Sequence, residues 1–569
     1  MRTLMHVGLV ALVFLGLGSA EEGADWTMWK GDPARTGGAP DSAMPPMNLL
    51  WRFTTEDNKQ SYASPIVADG RVFFCSQRKV YCLDDETGQK LWEFEMGLPQ
   101  KATPAYRDGI LYVGNPDGFL YAINAATGGP AWQFQTGSGI HSSPAFVGDH
   151  VIFGSNDSYV YAVSLAEGAK QPGQAVWQQK LPRPISGSPA IGENYAFVVC
   201  NDLYLYALDL ETGELRWKTR VGPATSPAYW DGLVLVGSGE YFYALRAGTG
   251  NEKWRVRLPD RASLSNSPVV REGTIYLGSA NGQLLALEIS RGRQLWAAAL
   301  GEPTESTPSV GEKCLWIGSS KGFVYGVSLK DGSVLWKYRI HDFMHTEETK
   351  PKATDKTNDR DKIDVYYNVF SSPVVIGDKL YVQGDDGTLY RFAASALDEY
   401  GPELKTAEMH VPSFDPRRLV RVSMDPVDGE EPVVEINGQP PITMQAKIVD
   451  EGSGVNEAAL KVTLNGKDRS FLWDSVESTM TIALAEAPEG AGTAMKNVPD
   501  GQYQIVIKAV DWTGNESSHT KWVIVNNNKP RPRLKAREST GGTGGAAGGG
   551  GAAGGRRGGR GGGMGGGNF

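Results

Sequence analysis

Eightfold repetition constrains this chain more than any other feature. A Ser-Pro or Thr-Pro step recurs with its proline at Pro65, Pro104, Pro144, Pro189, Pro227, Pro268, Pro308 and Pro373. A tryptophan follows the same rhythm, at Trp51, Trp92, Trp132, Trp177, Trp217, Trp254, Trp296 and Trp336. The usual step is roughly 40 residues, the period of a four-stranded sheet that cannot bury its faces alone and must stack on its neighbours.

One unit, Ala102 to Phe134, reads "ATPAYRDGILYVGNPDGFLYAINAATGGPAWQF". Proline is tolerated at the start of an inner strand, where its missing N–H costs no ladder bond. Arg107-Asp108-Gly109 offers the positive φ of a tight hairpin. The alternating run Ile110–Val113 and the run Phe119–Ile123 are β-branched and aromatic, as strands prefer. Thr127-Gly128 makes a last turn before the outer strand that carries Trp132. No copy has a helical period.

The two lists are out of phase. Trp51 precedes the first Ser-Pro, and the last unit ends at Tyr390-Arg391-Phe392 with no tryptophan after it. The segment around Trp51 is therefore expected to supply the missing outer strand of the last unit, closing an eight-bladed ring and leaving no long sheet edge. The eight indoles are read as staples between blades. Each would bury roughly 150–250 Å², contributing about 4–6 kcal/mol gross.

The pattern in "YALDLETGELRW", and more loosely in "YCLDDETGQKLW" and "YAINAATGGPAW", resembles the pyrroloquinoline-quinone (PQQ) type propeller repeat. The opening "WTMWKGDPARTGGAP", Trp26 to Pro40, is similar to the segment that precedes such propellers in exported bacterial proteins. The resemblance covers about two-thirds of the chain. It implies an all-β, eight-bladed propeller. It also implies kinship with quinoprotein dehydrogenases and with non-catalytic envelope proteins such as the outer-membrane protein assembly factor.

The rest of the chain divides by composition. Residues 1–20 have the layout of a secretory signal peptide: Arg2, an apolar run too short to span a bilayer, then Gly18-Ser19-Ala20. The propeller is expected over 21–393, interrupted by a charged excursion between Ile340 and Asn368. A linker over 394–430 leads to an immunoglobulin-like β-sandwich over 431–527, with strands expected at Val433–Ile436, Ile442–Val449, Ala459–Leu464, Thr479–Leu484, Tyr503–Val510 and Lys521–Val525. Residues 528–569 are basic and Gly-rich and cannot bury enough apolar surface to fold. That tail is read as a tether to an acidic polymer or anionic lipid.

Charge narrows the partners. The chain carries a net −9 although its tail is strongly basic, so the body is markedly acidic and repels nucleic acid. No apolar run approaches the ~20 residues of a transmembrane helix.

Catalytic signatures are missing from the sequence. Quinoprotein dehydrogenases, by resemblance, need adjacent cysteines against the cofactor, with calcium ligands and a catalytic Asp in blade insertions. Here the cysteines stand apart, at Cys75, Cys82, Cys200 and Cys314, and there is no haem-attachment motif. They read as small buried residues, with Cys75 and Cys82 a candidate cross-strand pair. No catalytic, cofactor-binding or metal residue is assigned. Asp450, Glu451, Asp511 and Asn515 lie in loops whose oxygens suit calcium, or are simply solvated turn residues. His341 and His345 are four apart without helical support.

Binding residues are sought where the repeats depart from their own rule. The position three before each repeat proline is Ser or Ala in three copies and aromatic in two, Tyr62 and Phe370, but carries Lys101, His141 and Glu305 in the others. These three are the candidate ligand-binding set at one channel mouth, the alternative being solvated rim residues. The expected function is an exported, non-enzymatic binding or scaffold protein of the periplasm or cell surface, without cofactor, partnered by envelope proteins or surface polymers. The alternatives are a PQQ- and calcium-dependent oxidoreductase and a carbohydrate-binding surface protein.

Overall fold

The computed structural model describes residues 25–39, 43–56, 62–165, 172–259, 263–264, 266–340, 368–398, 401–413, 419–425, 433–485 and 496–532. The expected signal peptide, most of the charged excursion and the Gly-rich tail from residue 533 lie outside them.

Within these residues the repeats form eight four-stranded antiparallel sheets in simple meander order. Blades 1 to 7 run over 66–95, 105–135, 145–180, 190–220, 228–257, 269–299 and 309–339. Blade 8 takes three strands from 374–393 and its outer strand from Asn48–Thr54. That strand pairs antiparallel with Thr388–Ala393, setting Phe53 against Leu389 and Arg52 against Tyr390. The closing pairing expected from the phase of the tryptophans is thus present.

The Ser-Pro and Thr-Pro steps do more than start strands. The amide of Ser372 donates to Ser64 Oγ, Ser64 to Thr103 Oγ1, Thr103 to Ser143 Oγ, Ser143 to Ser188 Oγ and Ser188 to Ser226 Oγ, all at 2.9–3.0 Å. Ser267 likewise donates to Thr307 Oγ1 at 3.4 Å. In six of the eight blades the hydroxyl caps the backbone of the blade before it, and the Ser372–Ser64 bond carries this pattern across the closure. The proline keeps the following strand from competing for that hydroxyl, since it has no N–H.

On the outside the indoles staple the blades. Trp51, Trp92, Trp177, Trp217, Trp254 and Trp296 each donate Nε1–H to a carbonyl of the next blade, at 2.7–2.9 Å. Each also lies on the turn glycine of that blade: Gly213 has φ +74° and its Cβ would sit 2.6 Å from the Trp177 ring. Only glycine fits both the backbone and the contact. Trp132 packs the same way on Gly173. Most of these rings are half-buried rather than buried, so each contributes less than full burial would.

At the closure, Asp85 of blade 1 is buried against blade 8, taking Lys379 Nζ at 2.7 Å and facing Arg391 Nε at 3.3 Å. The four cysteines are buried and none forms a disulfide. Cys75 pairs in register with Val80 and Cys82 with Phe73, so the candidate pair is two residues out of step.

The C-terminal unit is a β-sandwich of two five-stranded sheets around one core that includes Met444, Met480, Ile505 and Val523. It reaches further back than expected: Glu403–Pro412 and Leu419–Ser423 are strands of one sheet, not linker. Flanking prolines hid them, although "ELKTAEMHVP" turns Ala407, Met409 and Val411 inward at period two.

Candidate functional site

The inner strands of the eight blades surround a channel, and one end of it is closed by the segment from Trp26 to Ala39. The backbone of this segment bonds six of the blades directly. Trp26 bridges Val67 in both directions, Thr27 O accepts from Tyr106, Pro33 O from Ile191, Ala34 O from Tyr229, Thr36 O from Val270 and Gly37 O from Val310. Ala43 donates to Gly377 of blade 8. Blade 3 is reached through a side chain, that of Arg35.

Arg35 is fully buried, yet its guanidinium meets carbonyls: Trp29 O at 2.6 Å, Pro144 O at 2.8 Å, and Ser143 O and Pro189 O at 3.0 Å. Burial pulls its pKa down to about 10, with Asp32 opposing. Lys30, also buried, donates to Pro268 O at 2.5 Å, and burial and then the Arg35 charge hold its pKa well below the usual lysine value. Five donors on a planar fork suit Arg35 to satisfy carbonyls from several blades at once. Above them lies the Trp29 ring, 5.0 Å from Lys30 Nζ and 5.4 Å from the Arg35 guanidinium carbon.

Trp29 is part of the lining of a cavity of about 350 Å³ at the other end of the channel. Around its inner girth run the hydroxyls of the repeat steps, Ser64, Thr103, Ser143, Ser188, Ser226, Ser267, Thr307 and Ser372. Lys101, His141 and Glu305 all line this same cavity, so the structure brings the three candidate residues together. The His141 imidazole is pushed below its ordinary pKa, first by burial and then by Lys101. Tyr62 and Phe370, at the same repeat position, lean on one another with ring centroids 5.3 Å apart across the closure. The hydroxyl girdle and the Trp29 floor were not singled out from the sequence. The residue before each repeat proline was visible but read as structural, and Trp29 was noted only within the segment Trp26 to Pro40.

Quinone binding of the kind the resemblance implies needs a cysteine pair and several calcium-ligating carboxylates. No cysteine lines this cavity, and among the described residues Glu305 is its one carboxylate. Those donors do not fit the group.

The sandwich loops behave differently from expectation. Among the described residues, carboxylate oxygens of Asp398, Asp450 and Asp511 lie within 4.8 Å of one another where the sandwich meets the propeller. Asp398 was not anticipated. Glu451 is exposed, and the Asn515 amide donates to Asp398 O and Asp511 Oδ2 instead of presenting an oxygen. Asp450 accepts from Gly454 N and is raised to about 7, chiefly by burial, with Asp398 and Asp511 adding to it. His341 and His345 lie outside the described residues. No described helix is long and apolar enough to cross a membrane.

Comparison with known proteins agrees with this architecture. The family described as outer membrane protein assembly factor BamB, of the PQQ type, matches residues 48–172 and 169–393. A 1-butanol dehydrogenase (cytochrome c) of Thauera butanivorans is 30% identical over 134 residues, which is 21% of this chain and 19% of that enzyme. This chain therefore matches only about a fifth of that relative's length. A europium-containing methanol dehydrogenase superposes with TM-score 0.52 at 13% identity, over 66% of this chain and 98% of that one, a likeness of fold. BamB from Moraxella catarrhalis gives TM-score 0.48 at 17% identity, over 61% and 99%. With the family match spanning the whole ring of blades, the chain belongs to the PQQ-type β-propeller family of the outer membrane protein assembly factor BamB.

Proposed function

We propose that this protein is an exported, non-enzymatic binding or scaffold protein of the bacterial cell envelope, with the open mouth of the propeller channel as its recognition surface. The observation that carries the reading is the asymmetry of the channel. One end is sealed by a segment bonded to seven of the eight blades, while the other opens into a polar cavity whose rim carries the charged or polar side chains of Lys101, His141 and Glu305. Closed at the back, the channel is no conduit. Loops at such a mouth, held by a rigid ring, present a pre-formed concave surface. The sandwich and the basic tail are read as modules that place and tether the ring.

Affinity capture from native envelopes tests this. The mature chain should retain a specific protein or polymer that the double variant Lys101→Glu, Glu305→Lys loses. Equal capture by both chains would contradict a role for the mouth.

The second reading, a PQQ-dependent oxidoreductase, draws on the dehydrogenase match and on the Trp29 ring in the cavity lining. Dye reduction with alcohols after addition of PQQ and calcium discriminates. Turnover would displace the binding reading; no turnover alongside specific capture is the expected result.

A further inference from the structure

The hydroxyl girdle has a chemistry of its own. A serine or threonine hydroxyl has one proton to donate. Ser64, Thr103, Ser143, Ser188, Ser226 and Thr307 each already accept an amide N–H from the neighbouring blade. No described residue accepts the proton of any of them, nor of Ser267 and Ser372. All but Ser226 are more than nine-tenths buried, and all eight line the cavity. Eight O–H donors therefore converge on one space.

The charges there have a matching sign. Lys101 carries a positive charge at the rim, with His141 beside it held toward its neutral form, and the buried Arg35 guanidinium lies with Lys30 behind the Trp29 ring. Among the described residues Glu305 is the one carboxylate in the lining. Unpaired donors in a partly desolvated site favour a ligand rich in lone pairs, and charge-assisted bonds to an anion are the stronger kind. A cavity of about 350 Å³ has room for roughly a dozen waters at about 30 Å³ each.

We infer that the cavity is a receptor for a small oxyanion, a carboxylate or phosphate group, whose oxygens take up the hydroxyl girdle's free protons while Lys101 neutralises its charge. This rests on the reading of the mouth as the recognition surface and specifies what it recognises. Tyr62 and Phe370 offer the rest of such a ligand an aromatic wall.

Isothermal titration calorimetry on the full mature chain at low salt tests it, with citrate and inorganic phosphate as probes and glucose as the uncharged control. At least one anion should bind saturably at one site, and which one binds tells carboxylate from phosphate. Glucose should not bind. Lys101→Gln should weaken the anion about tenfold. Ser267→Ala with Ser372→Ala should weaken it several-fold at unchanged Tm, because neither hydroxyl bonds the protein, while Lys467→Gln on the sandwich should leave it unchanged. Binding of neither anion, equal binding of glucose, or binding indifferent to Lys101→Gln would overturn the proposal. If no anion binds but envelope capture still depends on Lys101 and Glu305, the oxyanion reading alone falls. If capture too ignores the mouth, the platform reading falls with it.

Discussion

Trp336 donates its indole N–H to the carbonyl oxygen of Ser453 at 2.9 Å, across 117 positions of sequence. For six of the other seven blade tryptophans the equivalent bond goes to the next blade. Blade 8 borrows its outer strand from the N-terminus, so the chain leaves it at Ala393 without making the usual turn. The loop Asp450 to Gly454 of the sandwich takes that turn's place. Tyr338 Oη bonds Glu451 O, Trp512 Nε1 bonds Lys337 O, and Leu49 of the closing strand bonds Gly452 O. One loop thus grips both the staple of blade 7 and the strand that closes the ring.

Trp336 is fully buried, whereas Trp254 is half-buried. Trp336→Ala should cost about 3–5 kcal/mol, the range of a buried aromatic truncation, and Trp254→Ala about half that. Denaturant midpoints at unchanged slope measure both.

The Asp450 carboxyl titrates near 7 in the folded protein, above the roughly 4 of an unfolded chain. The folded state holds this proton more tightly. Its contribution to stability is full below about pH 4 and is lost as pH rises to about 7. Asp450→Asn should remove this slope. The difference in unfolding free energy between wild type and variant should change by about 3 kcal/mol over that window.

Arg35 holds four carbonyls with no carboxylate against its guanidinium. Arg35→Met leaves those acceptors buried and unpaired and should cost about 3–5 kcal/mol. Arg35→Lys should not rescue it, since an ammonium cannot span the same fork. Thermal unfolding of the three proteins provides the comparison.

Gly213 and Gly466 both have positive φ, +74° and +76°, but only Gly213 faces a ring. Gly466→Ala should cost about 1 kcal/mol for the backbone alone. Gly213→Ala should cost roughly 1–3 kcal/mol more, because the new methyl group meets Trp177.

The ring was legible because each blade repeats the same local chemistry, and the phase between Trp51 and Tyr390 already implied how it closes. Lys101, His141 and Glu305 were legible as departures at a fixed offset from the repeat proline. The plug was not: Arg35 finds partners at Ser143 and Pro189, more than 100 residues away, and its segment carries neither strand nor helix periodicity. Asp398 was hidden for the same reason, since only the fold brings it to Asp450 and Asp511. The strand Glu403–Pro412 was passed over because Pro402 precedes it and Pro412 ends it, within what looked like a linker.

Site-specific photocrosslinking in native envelopes tests the mouth as the recognition surface most directly. A crosslinker replacing Ser186, on the cavity rim, should capture a discrete partner, and one replacing Lys467, on the sandwich, should not. Capture from Lys467 with none from Ser186 would contradict the account.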